Sequence, residues 1–324
     1  MQTRVLITGV TGFVASHLAE YCLGKGCQVV GTRRRRSPLT NIKAIIDNKQ
    51  FRLVEAELED SRSIYSAIRT NQPDLVFHLA AQSFVPTSFE LPHYTLQTNI
   101  LGTLALLEGL RQWSDSSSPK IHIACSSEEY GLVSSDECPI VETQALRPLS
   151  PYAVSKVACD LLGAQYARAY GMHIVRTRAF NHEGARRGVE FVTSNFARQA
   201  VMLAAGKISE LKVGNLEAVR DFSHVKDIVH GYWLALEKGE TGEVYNICGG
   251  KGVKILEIID ILSRILGREL PFSVDSQRLR PSDVPYLVGD CSKFRKQTGW
   301  EPKLTFEDAM RDLVIYWREE LGLS

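Results

Sequence analysis

The chain has 324 residues, 44% of them hydrophobic, which is enough for one large or two modest globular domains. Its 38 basic and 37 acidic side chains nearly cancel, excluding a general nucleic-acid or membrane-surface binder and making the one basic run, Arg33 to Arg36, a local feature. Seven scattered cysteines with no C-x-x-C pair suit a reducing compartment rather than a disulfide framework. No apolar run approaches ~18 residues and the start carries no leader pattern, so a cytoplasmic enzyme without a membrane partner is expected.

Arg4 to Thr8 reads as a short buried strand. Gly9-Val10-Thr11-Gly12-Phe13-Val14-Ala15 and an amphipathic segment, Ser16 to Lys25, follow it. Strand, glycine turn and helix suit a dinucleotide, because the turn lets the backbone approach a pyrophosphate and the helix N-terminus offers free N–H groups. A plain strand-to-helix turn would read the same way. Cys27 to Gly31 is a second strand, and Thr32-Arg33-Arg34-Arg35-Arg36 stands at its end, where an NAD-selective site would hold a carboxylate. Arginine there suits a 2′-phosphate, so NADP(H) is expected over NAD(H). A solvated basic loop or a subunit contact is the alternative for the later arginines.

Phe51 to Glu55 and Leu75 to Leu79 are further strands, the second ending in the small residues Ala80-Ala81-Gln82-Ser83. A long helix is predicted over 94–112 with Asn99 facing inward, then a fifth strand over Ile121 to Ala124 with Ser126 just beyond it. Alternation of this kind predicts an α/β fold, a doubly wound parallel Rossmann sheet with ligands outside the strands' carboxyl ends. Tyr152 and Lys156 lie four apart, on one face of a helix running to about Tyr170. A free tyrosine ionises near pH ~10, and a fixed ammonium beside it brings it toward a useful range, with Ser126 as a third contact to the same oxygen. Spacing alone would equally describe a half-exposed surface helix.

A sixth strand, Ile174 to Arg178, closes with Ala179-Phe180-Asn181-His182-Glu183. Beyond it the pattern is broken and more charged: a strand at Leu211 to Val213, an aromatic helix around Tyr232 and Trp233, a strand at Tyr245 to Cys248, a helix over Ile255 to Leu266, and a loop at Arg278-Leu279-Arg280-Pro281. Residues 1–180 are read as the NADP-binding domain, to which some later segments return, and 181–324 mainly as a smaller, irregular substrate-capturing lobe. Arg187, Arg220 and Arg280 are its candidate anion contacts. Nothing in the pattern suggests a metal site.

Together these motifs resemble the extended short-chain dehydrogenase/reductase family acting on nucleotide sugars, over nearly the whole chain. Within it the chain is most similar to GDP-mannose 4,6-dehydratases and GDP-4-keto-6-deoxy-D-mannose reductases. The resemblance implies Tyr152 as catalytic acid/base, Lys156 as the group that lowers its pKa and holds the nicotinamide ribose, and Ser126 on the sugar C4 oxygen. It implies cofactor contacts from Gly9, Thr11, Gly12, Phe13, Val14, Arg33, Arg34, Glu57, Leu58, Leu79, Ala80, Ala81, Gln82, Ser83, Tyr94, His182 and Arg187. Glu57-Leu58 departs from the family's usual Asp-Leu. Contacts to a GDP-sugar are implied for Ser83, Ser126, Ser127, Glu128, Tyr152, Asn181, Val192, Lys212, Gly214, Arg220 and Arg280. Dimerisation through helices at 94–112 and 152–170 is a further expectation, with the arginine loop able to join dimers into a tetramer.

Two reactions fit. Glu128 corresponds to the dehydratase glutamate that removes the C5 proton, and Ala81-Gln82-Ser83, Asn181-His182-Glu183 and Arg186-Arg187-Gly188 resemble dehydratases. Ser126 in place of threonine, Gly12 to Ala15 in place of G-Q-D-G, the segments 216–222 and 279–285, and the short stretch between Gly252 and Arg280 resemble reductases, as does Ser126 to Gly131 itself. The main expectation is reduction of the C4 keto group of GDP-4-keto-6-deoxy-D-mannose. The alternative is dehydration of GDP-mannose, with a C4 epimerase or a silent NADP-binding protein behind both.

Overall fold

The structure is a computed structural model that describes residues 2–113, 119–278 and 284–323. Its strands are β1 (Arg4–Thr8), β2 (Gln28–Arg33), β3 (Phe51–Glu55), β4 (Leu75–His78), β5 (Lys120–Ser126), β6 (Ile174–Ala179), β7 (Asn181–Glu183), β8 (Leu211–Val213), β9 (Val219–His224), β10 (Val244–Ile247), β11 (Gly252–Lys254), β12 (Phe272–Val274) and β13 (Tyr286–Leu287). The helices are α1 (Phe13–Gly24), α2 (Ser61–Asn71), α3 (Val85–Glu90), α4 (Pro92–Leu96), α5 (Gly102–Trp113), α6 (Pro151–Tyr170), α7 (Val192–Ala204), α8 (Val225–Lys238), α9 (Ile255–Leu266), α10 (Ser292–Thr298) and α11 (Phe306–Leu321).

Seven strands form one sheet in the order β10-β6-β5-β4-β1-β2-β3, with every pairing parallel. Helices cover both faces, which is why β1 is mostly apolar rather than alternating and β6 is buried at every position. Successive residues of β1 point to opposite layers. Val5 and Ile7 join Leu18 of α1 and Ile228 of α8, while Leu6 joins Ile64 of α2 and Leu106 of α5. The strand order reverses between β1 and β4, the place where a doubly wound sheet opens a crevice. This is the predicted Rossmann architecture, and β10 brings a late segment back into it.

The remaining chain builds a second layer beside that crevice. There β9 pairs with β7, β11 and β13, and β8 pairs with β12. Phe196 of α7, Ile258 and Leu262 of α9 and Leu313 of α11 form its separate core. Among the described residues no helix is long and apolar enough to cross a membrane.

The predicted single helix over 94–112 is three pieces. Gln97–Leu101 is a π-helical turn between α4 and α5. The wider turn rotates Asn99 into the interior, where its side chain accepts from Gln82 N at 2.8 Å and donates to Gln82 O at 3.0 Å and to Ser155 Oγ at 2.8 Å. One buried amide therefore ties the loop after β4 to α6, and its hydrogen bonds offset the cost of burying it. β2 also runs further than predicted, so Arg33 is its last residue rather than a loop residue.

Candidate active site

The loop after β1 and the loop after β4 are pressed together at the strand-order reversal. Gly9 has φ +69°, and a Cβ on it would lie 2.9 Å from Ala80 Cα, so only glycine fits. Thr8 Oγ1 accepts from Leu79 N at 3.1 Å and Ala80 N at 3.0 Å, fixing the second loop on the first. Gly12 caps α1 without any side-chain hydrogen bond, which leaves the first N–H groups of the helix to a ligand. Thr11, Phe13 and Val14 stand on that opening, at one wall of a cavity of about 980 Å³. A dinucleotide pyrophosphate fits this bare helix end.

At one end of the cavity lie Arg33, Arg34, Glu57, Leu58 and Tyr94. Arg33 donates to Glu55 at 3.0 Å and to the carbonyls of Arg35 and Ser37, while its buried Nε has no partner. Arg34 donates to Tyr94 Oη at 2.9 Å. Two guanidinium groups at the end of β2, one with an unsatisfied N–H, fit a phosphate dianion better than a bare ribose hydroxyl.

The four predicted catalytic groups meet at the centre of the same cavity. Ser150 caps α6 by accepting from Ala153 N at 3.1 Å, and Pro151 occupies the first turn, so Tyr152 and Lys156 start the helix facing the crevice. Lys156 Nζ lies 6.0 Å from the centre of the Tyr152 ring and donates to Ala124 O at 2.8 Å. Burial pushes the Tyr152 hydroxyl up from its ordinary pKa, while the Lys156 charge and a hydrogen bond with Ser126 pull it down. Burial works to lower the Lys156 pKa, but Tyr152, Cys159, Cys125 and Glu129 outweigh it and the ammonium is retained. Glu128 also acts on Tyr152, raising its pKa by its negative charge. Ser126, the last residue of β5, accepts from Glu128 N at 3.2 Å through its hydroxyl oxygen, so its proton is the part left to donate.

Ala81, Gln82 and Ser83 line the cavity opposite this turn, together with Ser127. Beyond them the wall is built by Asn181, His182, Arg187, Val192, Gly214 and Arg220. His182 stacks on Phe13 at 6.1 Å with ring planes 11° apart, and Phe180 O accepts from or faces its Nδ1 at 2.8 Å. Burial first, then the Arg187 charge, lower its pKa to about 4, so it is neutral near pH 7. Arg187 lies over the Phe191 ring at 3.5 Å, and its Nε is 3.5 Å from the buried Glu183 carboxylate, which holds the guanidinium in the cavity wall.

Lys212 is not brought to the site. In β8 Leu211 and Val213 point inward, so alternation turns Lys212 outward, where it donates to Glu210 at 2.6 Å and Ser273 at 3.0 Å. Arg280 lies outside the described residues. The structure adds residues that the sequence reading did not place in the site. Arg278 lines the cavity and donates to Asn195 Oδ1 at 3.1 Å, and Phe84 meets Phe191 edge to face at 5.7 Å. Arg278 stood in the basic loop as a usable signal, whereas the Phe84 and Phe191 pair is formed between distant segments and has no local signature.

A family model described as GDP-mannose 4,6 dehydratase matches residues 6–313. A GDP-mannose 4,6-dehydratase of Vibrio cholerae is 34% identical over 97% of this chain and 94% of its own length. The human GDP-mannose 4,6 dehydratase is 33% identical over 95% of this chain and 90% of its own. Among solved structures, RMD from Pseudomonas aeruginosa complexed with NADPH is 31% identical, with a TM-score of 0.84 and coverage of 98% and 100% of the two chains. The UDP-glucose 4-epimerase of Thermus thermophilus complexed with NAD is 30% identical, with a TM-score of 0.86 and coverage of 98% and 99%. The crevice chemistry and the full-length likeness agree, and the chain belongs to the GDP-mannose 4,6-dehydratase family.

Proposed function

We propose that the protein dehydrates GDP-mannose to GDP-4-keto-6-deoxy-D-mannose, using NADP without net redox change. The carrying observation is Glu128, a carboxyl group beside Tyr152, Lys156 and Ser126 in one cavity. Reduction and C4 epimerisation need only a proton donor or acceptor at the C4 oxygen. Dehydration also needs a base at C5, and the names of the relatives favour it over the reductase expected from the motifs.

Bound NADP would accept the C4 hydride and return it to C6. Tyr152 takes the C4 hydroxyl proton, and its hydrogen bond with Ser126 and the nearby Lys156 ammonium favour the phenolate. Ser126 donates to the developing C4 oxygen. The resulting ketone acidifies C5, Glu128 removes that proton and passes it to the departing C6 hydroxyl, which leaves as water, and C5 takes up a solvent-derived proton when the hydride returns to C6. Arg187, Arg220 and Arg278 supply cations along the wall that would hold the diphosphate. Arg33 and Arg34 support NADP over NAD. The division into a cofactor domain at 1–180 and a substrate lobe at 181–324 follows the same reading, with β10 returning to the first. Exposed Leu101, Val154 and Leu161 on the segments predicted to pair support a homodimer.

Purified protein given GDP-mannose with NADP should lose one water per sugar without accumulating NADPH. Reduction of the C4 keto sugar by NADPH is the second reading, favoured by the full-length likeness to RMD, and NADPH consumption with the keto sugar alone would select it.

A further inference from the structure

The turn that presents Ser126 and Glu128 carries a second glutamate that the proposed chemistry does not use. Glu129 is fully buried, and its Oε1 accepts from the backbone N–H of Ser126 at 2.8 Å. Its Oε2 sits 3.3 Å from Arg178 Nε yet accepts no hydrogen bond. A carboxyl oxygen of Glu129 lies within 4.8 Å of one of Asp160, which lies one turn beyond Lys156 on α6. Asp160 is itself fully buried, ion-paired with Arg176, and accepts from Arg178 Nε at 2.7 Å. Burial first, then the Asp160 charge, push the Glu129 pKa well above the ordinary carboxylate value, against the pull of Arg178. Cys125 completes a set of three metal-capable groups whose ligand atoms lie within 4.8 Å of one another, but the two guanidinium groups already serve the carboxylates and make this an ion-pair core.

The core links three elements that carry catalytic groups or hold them. β5 ends in Ser126, α6 carries Tyr152 and Lys156, and β6 supplies Arg176 and Arg178. Arg178 also donates to Tyr130 Oη at 3.1 Å and Glu142 O at 3.0 Å, and Tyr130 donates to Asn246 Oδ1 at 2.6 Å, so the anchor continues into β10. On the far side of the turn Gly131 has φ +57°, and a Cβ there would lie 1.8 Å from Arg147 O, which leaves the backbone one course.

We infer that Glu129 is a positioning residue: its carboxyl clamps the Ser126 N–H and packs against Asp160, locking the turn that bears Ser126 and Glu128 onto the catalytic helix. The inference rests on the reading of Tyr152 as the proton-transfer group and holds for dehydration and reduction alike. A glutamine can copy both contacts, with Oε1 accepting and Nε2 beside Asp160. Leucine cannot accept from the Ser126 N–H, and aspartate is too short to make both.

The test compares Glu129→Gln, Glu129→Asp and Glu129→Leu by steady-state kinetics on both GDP-mannose with NADP and the keto sugar with NADPH. Glu129→Gln should keep kcat within about threefold, while Glu129→Asp and Glu129→Leu should lose about 10- to 100-fold in kcat, the scale expected for a small misplacement of reacting groups. KM and the cofactor Kd should stay within about threefold in all, because the binding walls are untouched. If Glu129→Leu does not fold, the Gln and Asp variants decide. Ultraviolet titration of Tyr152, isolated by subtracting Tyr152→Phe in each background, should show its ionisation shifted to higher pH in the Asp variant and unchanged in the Gln variant. A wild type inactive on both substrates would count against the proposed reaction, and this titration would then decide the role of Glu129. Equal damage in Gln and Asp, full kcat in Asp, or a loss confined to KM would overturn it.

Discussion

At the residue scale the site is organised by which groups face the cavity and which support them. Tyr152→Phe removes the hydroxyl proposed to exchange a proton with the C4 oxygen, so kcat should fall by at least about 100-fold while NADP binding, read by fluorescence titration, stays within about threefold. Glu128→Gln separates the two reactions. It should abolish water loss from GDP-mannose, yet leave any hydride exchange at C4 intact, because the amide cannot take the C5 proton. Detecting C4 oxidation in that variant by mass or by trapped keto sugar checks the assignment, and normal water loss would refute it. Arg33→Ala should weaken NADP by about 10-fold to 100-fold with little change for NAD, as expected for one charged hydrogen-bonding partner of a phosphate.

At the element scale the sequence and the structure agree where the signal is local. The glycine turn, the small residues after β4 and the Tyr152–Lys156 spacing each belong to one strand-to-helix connection, and each lands at the predicted place. The π-turn at Gln97–Leu101 was not legible, because its cause is the partnership of Asn99 with Gln82 and Ser155, far away in sequence. Lys212 was misjudged for a related reason: whether it faces the cavity depends on the register of β8 against β12, which a three-residue strand does not announce. Glu129 directly follows Glu128 in sequence, and only the fold separates them, one at the cavity and the other in the core. The N-terminus of α6 offers a direct check. Ser150→Ala removes the acceptor for Ala153 N and should cost about 1 kcal/mol of stability by chemical denaturation. A change above about 3 kcal/mol would mean that the serine has a role beyond the cap.

At the scale of the whole molecule, burial of neutral imidazoles sets how the fold responds to acid. Desolvation is the leading cause that lowers the pKa of His17 and His182 to about 4 and of His78 and His122 to about 3, and His173, His224 and His230 are lowered too. The unfolded chain takes up these protons near pH ~6.5 and the folded chain does not, so their stabilisation is present above that pH and is lost as pH falls toward 4 and 3. Burial raises Asp221 to about 6 and also raises Glu129 and Glu183, which acts in the opposite sense, favouring the folded state as pH falls. Seven groups against three leave the histidines dominant. Denaturant midpoints should therefore decline steadily from pH 6.5 to pH 4.5, and a flat or rising profile would contradict the burial pattern.

The sheet order, the cavity at its reversal point and Glu128 beside Tyr152 are the grounds for the proposed dehydration. The most direct measurement incubates the protein with GDP-mannose and a catalytic amount of NADP in heavy water and follows product mass and the position of deuterium. Dehydration predicts loss of one water per sugar, deuterium from solvent at C5 and no accumulation of NADPH. Unchanged GDP-mannose, together with NADPH consumption when the C4 keto sugar is supplied instead, would contradict it and leave Glu128 as an orienting group in a reductase.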